Sequence, residues 1–404
     1  MTVEMKKYKL GDIGEVRMCK RILKEDTNTV SGIPFFKIGT FGNVADVFIT
    51  RKKFEEYKAK YSYPKKGDVL ISAAGTIGRT VVFNGEEAYF QDSNIVWIEN
   101  DESKVVNALL YYAYKNVKWK VSNGSTILRL YNDDLRRTEI IVPADIQVQK
   151  KIASILSTLD KRIENLRAQN RVLEQTAKTI YDYTFLQCAG HQTTYNKTLN
   201  RNIPADWEVK SVGDFAELIT KGTTPTTLGF NFEENGVNFV KVECIENGRL
   251  ITENLTHISK EAHEKLKRSN LHENDILVTI AGRLASPCVV PKSVLPANTN
   301  QAVGIIRLTK ENQKYVQYVF YCIFDPAMQN KLKGINAQSI QKNLTLPNLG
   351  NIPIAVPDDK TLEEFNSQVI PIFRKQQVNS LQIETLTTQR NTLLPLLMTG
   401  QIEV

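Results

Sequence analysis

Lys66-Gly67-Asp68-Val69-Leu70-Ile71-Ser72-Ala73-Ala74-Gly75 returns about half a chain later as Glu273-Asn274-Asp275-Ile276-Leu277-Val278-Thr279-Ile280-Ala281-Gly282. Each copy is a β-rich run leading into a glycine turn. Upstream, Gly32-Ile33-Pro34-Phe35-Phe36-Lys37-Ile38 is echoed by Gly236-Val237-Asn238-Phe239-Val240-Lys241-Val242. Further upstream, Leu10-Gly11-Asp12-Ile13 matches Val212-Gly213-Asp214-Phe215. Downstream, Ile140-Ile141-Val142-Pro143 matches Pro353-Ile354-Ala355-Val356-Pro357. The segments keep the same order in both halves, and a heptad-patterned stretch follows each set. Such a chain is two copies of one domain, each carrying a long arm. That organisation suits reading two related sites on one elongated partner.

The expected architecture is α+β, with two similar mixed α/β domains separated by two long helices in an antiparallel coiled coil. Residues 1–145 form the first domain. Val44–Ile49, Asp68–Ser72, Thr80–Phe83 and Asn94–Ile98 read as strands, and Lys104–Lys120 reads as a helix. Residues 146–187 form the first long helix. Ile152, Leu159, Leu166, Leu173 and Ile180 recur every seventh position, and Leu156, Ile163, Asn170 and Ala177 make a second seam. Residues 188–206 are polar and read as a connector. Residues 207–358 form the second domain, and residues 359–404 the second long helix, which Pro371 should kink or open.

Antiparallel pairing sets Leu156 against Leu393, Ile163 against Leu386, Leu166 against Ile383 and Ile180 against Val369. In that register Asn170 faces Asn379, a pair able to fix register and orientation. The weaker layers are Leu159 against Arg390 and Leu173 against Gln376, whose long polar side chains should reach solvent or a partner subunit. A helical rod of ~45 Å would match roughly thirteen repeats of ~3.4 Å along the elongated partner.

The 404 residues carry a net charge of +8, with 42% hydrophobic and 24% charged residues. These values fit a globular protein with a mild preference for a polyanion. Five scattered cysteines without a CxxC pair read as reduced thiols, and the four histidines lack metal-ligand spacing. No apolar run reaches the ~18 residues that span a bilayer. The start of the chain has no apolar signal core, so the expected location is the cytoplasm.

Catalytic signatures are missing. A methyltransferase acting on adenine needs a cofactor loop and an Asn/Asp-Pro-Pro-aromatic motif, and Asp325-Pro326-Ala327 falls short of it. There is no phosphate-cradling GxxxxGK[ST] loop. Glu56-Tyr57-Lys58 matches a bare nuclease ExK, a triplet common on solvated helix faces. Gly75-Thr76-Ile77-Gly78 precedes another strand rather than a helix and reads as a tight turn. The candidate DNA-binding residues cluster beside these turns. They are Lys37, Ser72, Thr76, Arg79, Asn94 and Arg129 in the first half. In the second they are Lys221, Thr223, Lys241, Arg283, Asn300, Gln301, Gln338 and Lys342. Such side chains read base edges and hold phosphates. Lys37, Arg79, Lys241 and Arg283 are expected on a basic DNA-facing side.

The chain resembles the specificity subunit of type I restriction-modification systems over essentially its whole length. Lys221-Gly222-Thr223-Thr224-Pro225 is similar to the family's KG-x-TP element. Lys66–Ser72 with Gly75-Thr76-Ile77-Gly78 is similar to its GD-x-L and G-T-x-G elements. Asn298-Thr299-Asn300-Gln301-Ala302 is similar to its TNQA element, where the first copy has Gln91-Asp92-Ser93-Asn94-Ile95. Pro143, Gln147, Gln149 and Lys150-Lys151-Ile152-Ala153 resemble the opening of its central conserved helix. The copies differ. Met18-Cys19-Lys20-Arg21-Ile22 replaces the KG-x-TP element in the first, and Gly282-Arg283-Leu284 replaces Gly75-Thr76-Ile77-Gly78-Arg79 in the second. The basic residues thus sit at different turn positions, and the two halves should read different sequences.

The resemblance implies a non-catalytic subunit that reads double-stranded DNA, each domain taking one half of a bipartite site. It implies two modification (methyltransferase) subunits docked around the helices, and restriction subunits that translocate and cleave. S-adenosylmethionine, ATP and Mg²⁺ would then belong to those partners, with no cofactor or metal on this chain. A stand-alone nuclease and a coiled-coil scaffold without a DNA role are the competing readings.

Overall fold

The repeated segments fold alike, strand for strand, in a computed structural model that describes residues 3–119, 129–335 and 343–402. The chain divides into two compact units. One comprises Met1–Ile163 with Thr385–Val404, and the other Glu164–Glu384.

In the first unit an antiparallel sheet runs Gly14–Met18, Ile95–Asn100, Val69–Ser72, Thr80–Val82. A second sheet runs Thr27–Asn28, Phe48–Ile49, Ile33–Phe36, Tyr89–Phe90, with only its last pairing parallel. A ribbon pairs Met5–Lys9 with Glu139–Pro143. The second unit repeats every step. Its antiparallel sheet runs Ala216–Lys221, Val303–Leu308, Ile276–Thr279, Pro287–Val289. Its second sheet runs Phe232–Glu233, Thr256–Ile258, Val237–Val240, Ala297–Thr299, again parallel only at the end. Glu208–Ser211 pairs with Pro353–Val356.

The strand quoted first explains its own composition. Every residue of Val69–Ser72 is buried. Val69 and Ile71 face a core shared with Leu109, Tyr112 and the start of the first long helix. Leu70 faces the opposite core, with Phe41, Tyr89 and Trp97. A strand buried on both faces has no polar alternation to show. Ile276–Thr279 divides its side chains between two cores in the same way.

Two helical expectations shorten or lengthen. The helix expected at Lys104–Lys120 spans Asn107–Asn116. The long helices span Ile146–Tyr181, continued by a π-turn at Asp182–Leu186, and Asp359–Met398, which runs unbroken through Pro371. The stretch read as a plain connector is also structured. Thr193–Asn196 pairs with Arg201–Pro204 in a hairpin. Its asparagines are the turn: Asn196 Oδ1 accepts from the amides of Thr198 and Leu199, and Asn200 takes φ +52°.

The long helices pack antiparallel. In the second unit Asn379 Nδ2 donates to Asn170 Oδ1 at 2.9 Å, both side chains buried. Gln376 Nε2 reaches the Asn170 carbonyl at 3.3 Å. In the first unit Arg390 leaves the seam for Asp160, at 2.8 Å, and Tyr112 donates to the other oxygen of that carboxylate at 2.8 Å.

The asparagine pair is one-sided, because Asn379 Oδ1 is buried with no hydrogen-bond partner. We expect Asn379→Leu alone to destabilise the protein by ~1–3 kcal/mol, since it strands the Asn170 amide. The double change Asn170→Leu with Asn379→Leu should recover that loss or exceed wild type, by removing every unsatisfied group at once. A double-mutant cycle in urea measures it. Strictly additive losses would show that the two amides act independently.

Candidate nucleic-acid interface

Strand Val69–Ser72 ends in a turn built around one hydroxyl. Ser72 Oγ donates to the Thr76 carbonyl and accepts from the Arg79 amide at 2.9 Å. Gly75 and Gly78 take φ +63° and +81°. A Cβ at Gly78 would lie 2.3 Å from Trp119 Nε1, so the indole fits only against glycine. The second unit makes the same turn. Thr279 Oγ1 donates to the Arg283 carbonyl and accepts from the Ser286 amide at 2.9 Å. Gly282 and Ala285 hold φ +72° and +59°. Position by position, Arg283 therefore stands where Thr76 stands, and Ser286 where Arg79 stands.

At the other end of each strand, just before its first residue, lies an aspartate. Asp68 accepts the Lys65 amide at 2.7 Å, and Asp275 accepts the His272 amide at 2.8 Å. Asp275 is fully buried and is gripped by both Arg307 Nε and Nη2 at 2.7 Å. That hydrogen bonding holds the Arg307 guanidinium above its ordinary value. The sheet register puts Glu99 at the Arg307 position of the first unit, and Glu99 turns to Arg17 at 2.7 Å instead. Burial accordingly pushes the Asp68 carboxyl up, and the Glu99 charge adds to it.

Three further loops meet each turn. Lys37 is half-buried, and its backbone closes a turn with Thr40. Lys241 occupies the equivalent place, closed by Cys244, with its ammonium 4.0 Å from the centre of the Phe232 ring. Gln91 Oε1 accepts from the Ile38 amide at 3.0 Å. The Asn94 carbonyl accepts from the Ala73 amide at 2.7 Å, and Arg129 Nη2 donates to the Ser93 carbonyl at 2.7 Å. In the second unit Asn300 Oδ1 accepts from the Ala302 amide at 3.1 Å. Thr223 Oγ1 accepts from Arg268 at 3.0 Å, and Thr224 hydrogen-bonds Gln301. Lys221 and Gln301 are exposed.

The expected site residues thus divide. Lys37, Thr76, Asn94, Arg129 and Arg79 come together in the first unit, and Lys221, Thr223, Lys241, Arg283, Asn300 and Gln301 in the second. Ser72 is buried and its hydroxyl is occupied inside the turn, so its place is structural, like that of Thr279. Both arginines at the turns donate to backbone. Arg79 Nη1 reaches the Phe41 carbonyl at 3.0 Å, and Arg283 Nη2 reaches the Val242 carbonyl at 3.4 Å and that of Ile245. Gln338 and Lys342 lie outside the described residues. The alignment of the TNQA-like element also shifts by the register. Thr279 pairs with Val303 and Ser72 with Ile95, so Ala302 matches Asn94, and Asn300 matches Gln91. Gln91, Thr224 and Arg268 were not singled out from sequence. Gln91 was recoverable from the repeat, whereas Arg268 had no such signal.

Among the described residues no cluster of His, Cys, Asp and Glu could hold a metal. Glu56-Tyr57-Lys58 lies on helix Arg51–Lys60, where Glu56 pairs with Lys60 at 3.2 Å and Lys58 sits over Phe54 and Tyr63. All five cysteines are buried and free, and burial pushes the Cys19 thiol up to about 12. No described helix is long and apolar enough to cross a membrane. What the loops offer is a set of hydrogen-bond donors and cations on rigid strand ends.

A model of the type I restriction modification DNA specificity domain matches residues 2–175 and again residues 204–393. A putative type I restriction enzyme specificity subunit of Haemophilus influenzae is 52% identical over 181 residues, covering 45% of this chain and 47% of that protein. The chain thus spans about half the length of that relative. The MjaIX specificity subunit of Methanocaldococcus jannaschii is 28% identical over 88% of this chain and 82% of its own. The crystal structure of a type I restriction-modification S subunit from M. genitalium superposes with a TM-score of 0.64 at 15% identity, covering 98% of this chain and 96% of that one. With its fold repeated in both halves and the family's domain matched in each, the chain belongs to the type I restriction-modification DNA specificity family.

Proposed function

We propose that this specificity subunit reads an asymmetric, bipartite duplex sequence, one half per unit, through the turns and loops just described. One observation carries the proposal. The two units hold the same hydrogen-bonded turn on the same strands, yet display unlike side chains at matched positions. A shared scaffold with different donors is what reading two different half-sites requires. Lys37 and Lys241, the same residue at the same place, serve both halves as contacts to phosphate. Thr76, Asn94 and Arg129, and Lys221, Thr223, Asn300 and Gln301, face the bases and the adjoining backbone.

In this reading the long helices dock two modification subunits, and restriction subunits complete the assembly. S-adenosylmethionine, ATP and Mg²⁺ act on those partners, and the complex works in the cytoplasm. The boundaries that go with it are 1–145 and 207–358 for the reading domains, with helices 146–187 and 359–404 and the connector 188–206.

The test is to map methylated sites in the host genome for variants of the subunit. Gln301→Ala should relax the sequence of one half-site alone, at a cost of ~1–3 kcal/mol against the preferred base. Lys241→Ala should weaken binding evenly on all sequences and reduce the salt slope by about one. If Gln301→Ala altered both halves equally, the division of labour would be wrong. Binding that ignores salt would favour a scaffold without a DNA role.

A further inference from the structure

The arginines of the two turns come from unmatched positions and arrive at matched acceptors. Counting from the hydroxyl residue that holds each turn, Arg79 is eighth after Ser72 as first, and Arg283 is fifth after Thr279. Their acceptors lie on the loop that follows Lys37 in one unit and Lys241 in the other. That loop is the same object in both. Ile33 and Val237 take the same place in their sheets, each paired to the strand before the short helix and leading into the parallel pairing. The Thr40 amide donates to the Lys37 carbonyl at 3.0 Å, and the Cys244 amide to the Lys241 carbonyl at 3.0 Å. The Lys37 amide returns to Thr40 Oγ1 at 3.2 Å, and the Lys241 amide to Cys244 Sγ at 3.4 Å. The next residues, Phe41 and Ile245, are both buried. It is their carbonyls that accept from Arg79 and Arg283.

We infer that Arg79 and Arg283 are positioning residues. Each ties its reading turn to the neighbouring loop, and the two units reach one brace from different turn positions. The inference rests on the proposal that these turns read DNA, and it changes what the arginines do there. A guanidinium is suited to the task, because it stays charged and presents several donors in a fixed plane. Glu246, 3.7 Å from Arg283 Nη1, steadies the second brace further. The positions left for reading then differ between the units. Thr76 is exposed at the fifth place of the first turn, and Ser286 stands at the eighth place of the second.

The decisive measurement is amide hydrogen exchange on the full-length chain without DNA. Arg283→Ala should speed exchange of the Ala285 and Ser286 amides by roughly ten- to hundredfold, the factor set by losing one charge-assisted hydrogen bond or two. The Gly78 amide of the untouched unit serves as an internal control. Transplanting the other solution, Arg283→Thr with Ser286→Arg, should restore slow exchange, which a base-reading or phosphate-binding arginine gives no reason to expect. In the genome-wide methylation map this double variant should leave the first half-site unchanged, so that any change falls in the second half-site, whose reading position has moved. Unchanged exchange in Arg283→Ala, or a double variant that stays fast, would overturn the brace. So would a single-base change of specificity in Arg283→Ala with the turn still protected. The exchange arm is read without DNA, so it decides the brace even if the DNA-reading proposal fails.

Discussion

Arg307→Leu is expected to destabilise the second unit by about 3–5 kcal/mol, the cost of leaving a buried carboxylate without its counter-charge. Asp275 has no exposed side-chain surface, and Arg307 is 17% exposed. Both carboxylate oxygens accept from the guanidinium at 2.7 Å, and the same group also donates to the Asn270 carbonyl at 3.1 Å. Removing the arginine therefore strands one charge and one carbonyl beneath the strand that carries the reading turn. Adding Asp275→Asn should recover most of the loss, because the neutral amide can still accept from the His272 amide without a buried charge. The linear-extrapolation free energy of urea unfolding measures both variants. A loss under 1 kcal/mol for Arg307→Leu would mean that water reaches Asp275. The first unit supplies a comparison, since Glu99 stands at the matching place and pairs outward with Arg17. Removing Arg17 exposes no buried charge and should cost far less, in the range of surface ion pairs at ~0–1 kcal/mol.

Gly222→Ala is the second large effect. A Cβ there would lie 2.0 Å from the Thr299 carbonyl oxygen, 2.3 Å from its carbon and 2.4 Å from the Asn300 oxygen. All three atoms are backbone, so no rotamer change relieves the overlap. The end of strand Ala216–Lys221 and the loop at residues 299–301 must move apart, breaking the Thr223 amide bond to the Thr299 carbonyl at 3.0 Å. Overpacking of this kind costs ~1–3 kcal/mol in stability. The functional loss should be larger, because Thr223, Asn300 and Gln301 are all displaced together. Methylation mapping should show the second half-site lost with the first intact. Cys19 gives the contrast. The sheet register puts it at the Gly222 position of the first unit, where a buried side chain is accommodated. Cys19→Ala should be tolerated with little effect on half-site choice. If Gly222→Ala left methylation unchanged, the loop at 299–301 would be excluded from the reading surface.

Much of this molecule is fixed by its sequence alone. The duplicated segments place three matched strands, Ile33–Phe36, Val69–Ser72 and Glu139–Pro143 with Val237–Val240, Ile276–Thr279 and Pro353–Val356, since apolar runs bounded by Gly, Asn and Lys need no tertiary information to be read. The heptads place both long helices and bring Asn170 opposite Asn379 in one register, because helical period is a local property. Gly222 is seen in the sequence only as part of a KG-x-TP-like element, and its close approach to the Thr299 and Asn300 backbone is set by the fold. Other features depended on the fold. Val44–Ile49 looks like a strand, but only Phe48–Ile49 finds a partner edge, with Asn28 and Ile33 across from it. The asparagines of residues 188–206 look like a plain polar connector until Thr193–Asn196 meets Arg201–Pro204. Ser72, a plausible reader by composition, is buried because its strand is covered on both faces and the turn occupies its hydroxyl. Arg390 is a defect in a heptad seam until Asp160 is beside it. Arg79 and Arg283, unmatched in the alignment, meet matched carbonyls only once the loops are folded against the turns. The physical reason is common to all of these. Periodicity is written into neighbouring residues, whereas the partner of a polar side chain is whichever group the fold brings within about 3 Å of it.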